Sequence, residues 1–435
     1  MKPKNHISCV CAAALLALLA GCARTYPRRL IPVRRHSLDD PARAIETLEK
    51  TRLSGEERNR LLYHLEAGVL YHLAGEYEMS NRFLESAEWI SDEMYTRSLT
   101  REAASLLTSD NLLPYRGEYY DYLFINYYKL LNYLHIGCAE SALVEVRRIN
   151  YKMSLFNKED AFLSWLTAIL HRHTGNSSSA FIEYMKAYRT FKNRYPEKYG
   201  IGVPDGLLRD IAAFCYEADP PRAEEFPESV RRSFVPPEKY GSAVFIIETG
   251  FVPYKYETRV EASIPQRYRD ENKEVFSGVY HLTVSLPEYS PREEKAEKVS
   301  LKINGSLRQV ELVEDIGAMA VSYFNADRAN VLSRTVMRAA AKYAAYRSVR
   351  GKDRDNTLRR ILGASVDIVG SATERADTRS WLMLPDRIFM SREYLKPGEH
   401  EFEVAIYSSG NREKTVTEEF VLEEGELKFI VLRRS

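Results

Sequence analysis

Cys22 carries the clearest chemistry in this sequence because of what precedes it. Lys2 and Lys4 open the chain, the run from Asn5 to Ala20 is uncharged, and Leu19-Ala20-Gly21 lead into the thiol. A basic end, a short apolar stretch and small residues before a cut describe a secretion signal; the stretch is too short for a comfortable membrane span. Three other groups of reactive side chains stand out. His72, His135 and His173 fall two or three residues before Gly75, Gly137 and Gly175, with His171 close to the last. A histidine in the last turn of a helix meets free carbonyls and the negative end of the dipole, which accounts for the recurrence without a metal. No Cys–His quartet of metal-binding spacing accompanies them, so no metal is expected. Arg334, Arg338 and Lys342 recur every four residues and so share one helix face, a strip that attracts phosphates or carboxylates. His400-Glu401 opens like a zinc-protease helix, but Val404 stands where the second histidine is needed. No Gly-x-Ser-x-Gly elbow, phosphate-cradling loop or dinucleotide fingerprint is present, so no catalytic residue is assigned and a non-enzyme is expected.

Leu19-Ala20-Gly21-Cys22 resembles the lipobox of bacterial lipoproteins. The resemblance implies that Cys22 receives a diacylglyceryl group, that residues 1–21 leave as signal peptide, and that the new amino terminus is acylated, as with palmitate. Ala23 stands where an aspartate would favour inner-membrane retention, which implies a lipid-anchored outer-membrane protein facing the periplasm. No cofactor is expected beyond that covalent lipid. From Ala23 to Ser37 the chain has five arginines and no acid, and Pro27 and Pro32 argue against regular helix. Residues 22–38 are therefore expected to form a basic tether close to lipid phosphates.

Those groups need elements to hold them. At 435 residues the chain is long enough for more than one core. Removing residues 1–21 takes away Lys2 and Lys4 and no acid, so the 62 basic residues fall to 60 against 61 acidic, nearly balanced. Global charge gives no reason to expect a nucleic-acid partner. Cys138 and Cys215 are the cysteines left after processing; export permits a disulfide between them, and their partly apolar helical settings equally suit two buried thiols.

Between about Asp39 and Tyr195 apolar residues recur at three- and four-residue spacing. Internal repeats align on Gly75, Gly137 and Gly175. Gly68, Leu130 and Ala168 stand seven residues earlier, Ser80, Ala142 and Ala180 five later, and Ala87, Ile149 and Ala187 twelve later. Small residues at these offsets let paired helices approach, and each glycine ends the first helix in a left-handed turn. The pattern resembles the tetratricopeptide repeat. Gly75 and Gly137 are 62 residues apart and Gly137 and Gly175 are 38, so an extra helical piece is expected over 91–107. Tyr115, Tyr119, Tyr120, Tyr122, Tyr127, Tyr128 and Tyr133 fall within 19 residues. One helix face cannot bury all seven, so some are expected at solvent or a partner.

Prolines at 220, 221, 227, 236 and 237 mark a linker over 218–238. Beyond it, strands are expected at 243–248, 279–286, 299–303, 308–313, 387–391, 401–407, 414–422 and 428–432, with Asn304-Gly305 as a hairpin turn. Alternation in Phe402, Val404 and Ile406 gives one buried face. Two helices, about 315–350 and 356–373, interrupt the strands; from Arg328 to Arg360 there are ten basic residues and two acids, and Gly363 and Gly370 suggest close packing of the second. The expected fold class is multidomain α+β: a tetratricopeptide-like helical domain over 39–217, then a β-rich, sandwich-like domain over 239–435 with two inserted helices.

Ala376-Asp377-Thr378-Arg379-Ser380-Trp381, Leu384-Pro385, Pro397-Gly398-Glu399-His400 and the segment from Glu238 to Gly250 carry a wider likeness. With the lipobox and the repeats, they resemble a family of uncharacterised bacterial lipoproteins in which a helical-repeat half precedes a β-rich half. The expected function is a membrane-anchored envelope scaffold or adaptor, linked to cell-envelope or cell-wall assembly, with an envelope protein as partner and contact with cell wall or anionic lipid. The alternative is a glycan- or lipid-binding lipoprotein with its pocket in the C-terminal half; a hydrolase with an unrecognised carboxylate pair comes third.

Overall fold

Pro27 and Pro32 do not keep the start of the chain extended. In the computed structural model, which describes residues 25–105, 111, 113–270, 273–292, 296–350, 375–408 and 411–434, the first element is helix α1 (Tyr26–Ser37). Pro27 sits in the first turn, where a missing N–H costs nothing. Tyr26, Leu30 and Val33 are buried against the body. Arg29 pairs with Glu56 at 2.6 Å, and Arg34 lies 4.5 Å above the Phe251 ring. The expected tether is thus corrected from Tyr26 onward to a docked helix, because its apolar positions at 26, 30 and 33 make one stripe. Cys22, the signal segment 1–21, and the helix expected over 356–373 with Gly363 and Gly370 lie outside the described residues.

After α2 (Pro41–Lys50) come three consecutive helix pairs: α3 (Arg60–Leu73) with α4 (Tyr77–Ser105), α5 (Tyr119–Ile136) with α6 (Ala139–Leu155), and α7 (Ala161–His173) with α8 (Ser177–Asn193). The turns hold Gly75, Gly137 and Gly175 at φ +77°, +80° and +74°. Each turn closes with a six-residue bond, Glu76 N–H to Tyr71 O, Cys138 to Tyr133 and Asn176 to His171, at 2.8 to 2.9 Å. The helical piece expected over 91–107 is, as far as Ser105, the continuation of α4, and its last two residues lie outside the described residues. Where α3 and α4 cross, a Cβ on Gly68 would lie 2.5 Å from the Leu84 side chain, so any larger residue would force Leu84 to move.

Helix α5 is the centre of the molecule. Every residue from Tyr119 to Asn132 is buried, the condition of a helix apolar all round. Six of the seven clustered tyrosines are buried and Tyr133 is half-buried. The expectation that several reach solvent is corrected: α5 has helices on one side and a sheet on the other, so more than one face is covered.

The segment 218–238 is not a free linker. After α9 (Tyr195–Tyr199) and α10 (Asp205–Ala218), a short 3-10 turn and α11 (Glu228–Arg231) fold back, and Phe226 packs edge-on to Phe181 and Tyr188 of α8. Strands follow: β1 (Gly241–Thr249), β2 (Lys255–Asp270), β3 (Lys273–Tyr289), β4 (Ala296–Ile303), β5 (Ser306–Arg308), β6 (Glu311–Asp315), then α12 (Ile316–Arg350), β7 (Arg387–Leu395), β8 (Gly398–Ser408), β9 (Asn411–Leu422) and β10 (Leu427–Arg434). One sheet has the order β10-β1-β7-β6, a second β5-β4-β8-β9, and β2–β3 form a separate long hairpin. The chain is therefore α+β. The strand expected over 308–313 is split into β5 and β6, and β2, whose polar sequence hid it, is additional. Asn304 and Gly305 both have positive φ, as their hairpin turn demands.

β1 is buried on both faces. Ala243, Phe245 and Ile247 meet Val299, Leu301, Phe402 and Val404 of the second sheet, while Val244 and Ile246 join a core that runs from α1 through α3, α5, α7 and α10. The order of layers is helices, first sheet, second sheet. Glu248, on the helix-facing side, accepts hydrogen bonds from Tyr127 (2.9 Å), Tyr128 (3.0 Å) and Arg433 (2.9 Å). Asp210 of α10 accepts from Trp165 at 2.7 Å and pairs with Arg392 of β7 at 3.0 Å. These contacts correct the expected division at 218–238, since the two halves share one apolar core and buried charges. Cys138 is exposed and Cys215 buried, and both are free thiols.

Candidate anion-binding pocket

Four described segments from both halves line a partly open cavity of about 300 Å³: the loop 113–118, the base of the β2–β3 hairpin, α12 as far as Arg338, and residues 375–379. The loop is held from both ends. Tyr115 N–H donates to Arg58 O at 2.9 Å and its hydroxyl to Asp121 at 2.7 Å. Gly117, at φ +86°, lets the chain turn beside the Tyr122 ring. Glu118 and Asp121 then form a reciprocal capping box that starts α5. Burial pushes Asp121 up to about 7, with the Glu118 N–H and the Tyr115 hydroxyl pulling the other way.

Lys255 reaches in from the first residue of β2. Its Nζ is 3.0 Å from Glu118 Oε1 and lies over the Tyr289 and Phe324 rings at 5.4 and 5.7 Å. Burial works against its charge, yet Tyr289, Glu118 and Asp377 together outweigh burial and raise its pKa above that of an ordinary lysine. On the opposite wall Arg379 is clamped: Nε and Nη2 donate to Asp377 at 2.8 and 2.7 Å, and Nη1 donates to Arg58 O at 2.8 Å. Burial would raise Asp377, but the Arg379 guanidinium outweighs it and holds the carboxyl below the usual range. Glu257 Oε2 accepts from Ala376 N–H at 2.9 Å and ties this segment to the hairpin.

Helix α12 supplies Arg334 and Arg338. Arg338 is 5% exposed, and its Nη2 donates to Thr335 Oγ1 at 3.2 Å; Arg334 lies 3.6 Å from Asp327. Arg338 is therefore turned into the molecule, and Arg334 is half-buried at the cavity. Lys342 belongs to the same helix, and its side chain lies outside the described residues. Among the described residues of the lining, Arg116 and Arg375 complete six cations beside the carboxylates of Glu118, Asp327 and Asp377. A cavity with this excess, walled by aromatic rings, suits a phosphate or carboxylate group. Its described lining contains no histidine or cysteine.

Of the residues singled out in the sequence, Arg334 and Arg338 come to this site. Gly75, Gly137 and Gly175 stay in the helix turns, and Cys22 lies outside the described residues. Lys255 and Glu118 carried no sequence signal, being single charges in unremarkable runs; Arg379 sits in the Asp377-Thr378-Arg379-Ser380-Trp381 run already noted. His72 Nδ1 contacts Asn132 at 2.6 Å, and His135 Nδ1 contacts Leu131 O at 2.8 Å. Among the described residues no three His, Cys, Asp or Glu side chains converge on a possible metal position, and no helix is long and apolar enough to cross a membrane.

A second, more open groove of about 870 Å³ crosses the outer surface of α3 to α6, where Trp89 stands 59% exposed with Arg60 5.6 Å from its ring. Beneath it Lys129 and Lys152 are paired with Glu88 at 2.8 Å each. Comparison of the chain with protein families, curated proteins and solved structures finds no match.

Proposed function

We propose that this protein is an outer-membrane lipoprotein, anchored through Cys22 and facing the periplasm, that works by binding an anionic group in the pocket between its halves. The three helix pairs are read as tetratricopeptide-like repeats and the two stacked sheets as a sandwich-like unit. The observation that carries the reading is the excess of cations in the described lining of one partly open cavity, with Lys255, Arg338 and Arg379 all buried there. Glu118 and Asp377 partner Lys255 and Arg379 within the fold, and the described lining still carries six cations against three carboxylates. A binding protein is the reading that these side chains support best, because the described wall offers charge and shape complementary to an anion.

Calorimetry on the processed chain lacking only Cys22 tests this with inorganic phosphate, glycerol phosphate and glycan-derived carboxylates. Saturable 1:1 binding that weakens with salt is expected. No saturable binding of any of these, at concentrations up to millimolar, overturns it.

A second reading, the envelope adaptor, is favoured by Trp89. The sheet covers one side of the helix pairs, so a protein partner would use the outer groove, where a large exposed aromatic beside Arg60 is the kind of group that anchors interfaces. Trp89→Ala should then abolish recovery of that partner from solubilised envelope while leaving phosphate binding intact.

A further inference from the structure

We propose that the group held in the pocket is the phosphate of an anionic phospholipid in the membrane that carries the anchor. This rests on the anion-binding reading of the pocket and on Cys22 as the anchored residue.

The first argument is distance. Helix α1 begins at Tyr26, four residues after Cys22, and four residues of fully extended chain reach at most ~14 Å. A docked α1 therefore holds the folded body against the bilayer, where a free tether of 16 residues would have let it drift. The start of α1 is also bonded into the pocket wall. Tyr26 donates to Glu66 Oε1 at 2.7 Å, and Glu66 accepts from Leu382 and Met383 N–H at 2.8 and 2.9 Å, three and four residues beyond Arg379. One turn along α1, Arg29 pairs with Glu56, which is 3.5 Å from Arg58 Nε. The Arg58 carbonyl in turn accepts from both Tyr115 N–H and Arg379. Anchor end and pocket thus belong to one hydrogen-bonded patch.

The second argument is the company the cations keep. On α12, the helix that supplies Arg334 and Arg338, Leu332, Val336 and Met337 are 45, 49 and 52% exposed; on β2, beyond Lys255, Val260 is 54% exposed. Exposed apolar side chains flanking inward-turned arginines suit the boundary of headgroup and acyl chain, where apolar burial and phosphate attraction add. A cavity of about 300 Å³ takes a phosphate and part of its glycerol and leaves the acyl chains outside.

The same chemistry could come from a soluble phosphate, so the experiment has two arms. The processed chain lacking only Cys22 is floated with phosphatidylcholine vesicles, with and without phosphatidylglycerol, and titrated separately with glycerol phosphate. The expected result is flotation only with phosphatidylglycerol, binding of glycerol phosphate, and at least a tenfold loss of both in Arg338→Gln. Because Arg338 is buried, the exposed Arg116→Gln is the second variant; it should keep the wild-type melting temperature and weaken both interactions severalfold. Leu332→Ser with Val336→Ser should weaken flotation alone. Glycerol phosphate binding without vesicle binding overturns the lipid proposal and leaves the anion-binding reading standing. Loss of both in the wild type overturns both. Vesicle binding that neither arginine variant weakens overturns the proposal in favour of diffuse surface charge.

Discussion

At the scale of single residues, much of the chemistry lies in carboxylates that the fold has buried. Asp160, which caps α7 through the Leu163 N–H at 2.8 Å, is held near Glu314 of β6, which accepts from Tyr195 at 2.8 Å. Burial raises both, Asp160 to about 6, and the Asp160 charge adds to the rise at Glu314. The folded state therefore keeps a proton that the unfolded chain releases near its ordinary carboxylate value. Stability from this pair is fully present below about pH 4 and is lost as pH rises from there through about 6 and beyond. Thermal melting between pH 5 and 8 should show the decline, and Glu314→Gln should flatten it; an unchanged slope would show that other groups govern it. Lys255 has the opposite electrostatic setting, a cation kept charged by Glu118 and Asp377. Lys255→Met should lower anion affinity at least tenfold and cost about 1–3 kcal/mol in urea unfolding, because half-exposed Glu118 loses its cation while Asp377 keeps Arg379. None of these partnerships is visible in sequence, since Lys255 and Glu118 are 137 residues apart.

At the scale of elements, local signals were read well where the element is made by its own residues. Glycines 75, 137 and 175 mark turns that need positive φ, and Asn304-Gly305 marks a hairpin. Helix α1 is hidden in the sequence by its prolines, because Pro27 starts the helix instead of breaking it and the stripe of Tyr26, Leu30 and Val33 docks it. Two glycines separate the two kinds of constraint. Gly75→Ala should cost about 1–2 kcal/mol, from a left-handed backbone with open space around it. Gly68→Ala forces a methyl into Leu84 and should cost about 1–3 kcal/mol by overpacking, much of it recovered in the double variant with Leu84→Ala. Chemical denaturation of the three variants decides this: failure of the double variant to recover stability would mean that the clash is absorbed elsewhere.

At the scale of the whole molecule, the shared core makes the two halves one cooperative body. Limited proteolysis at 218–238 should yield no pair of independently stable fragments, and calorimetric melting should give one transition; two separated transitions would restore the independent halves. Arg392→Met should destabilise by about 3–5 kcal/mol because Asp210 would stay buried without its partner, read as a lower urea midpoint. The sequence by itself determined the order of helices then strands, the repeat turns, the hairpin at Asn304-Gly305 and the charge of α12, because periodicity, turn residues and charge are properties of neighbours along the chain. Only the tertiary structure decided that α5 is covered on more than one face, that 218–238 packs back on α8, that Arg338 turns inward, and that Lys255 and Arg379 meet it in one cavity. Those outcomes depend on which faces of distant elements exclude water together, and a linear pattern carries that information only as unlabelled apolar residues.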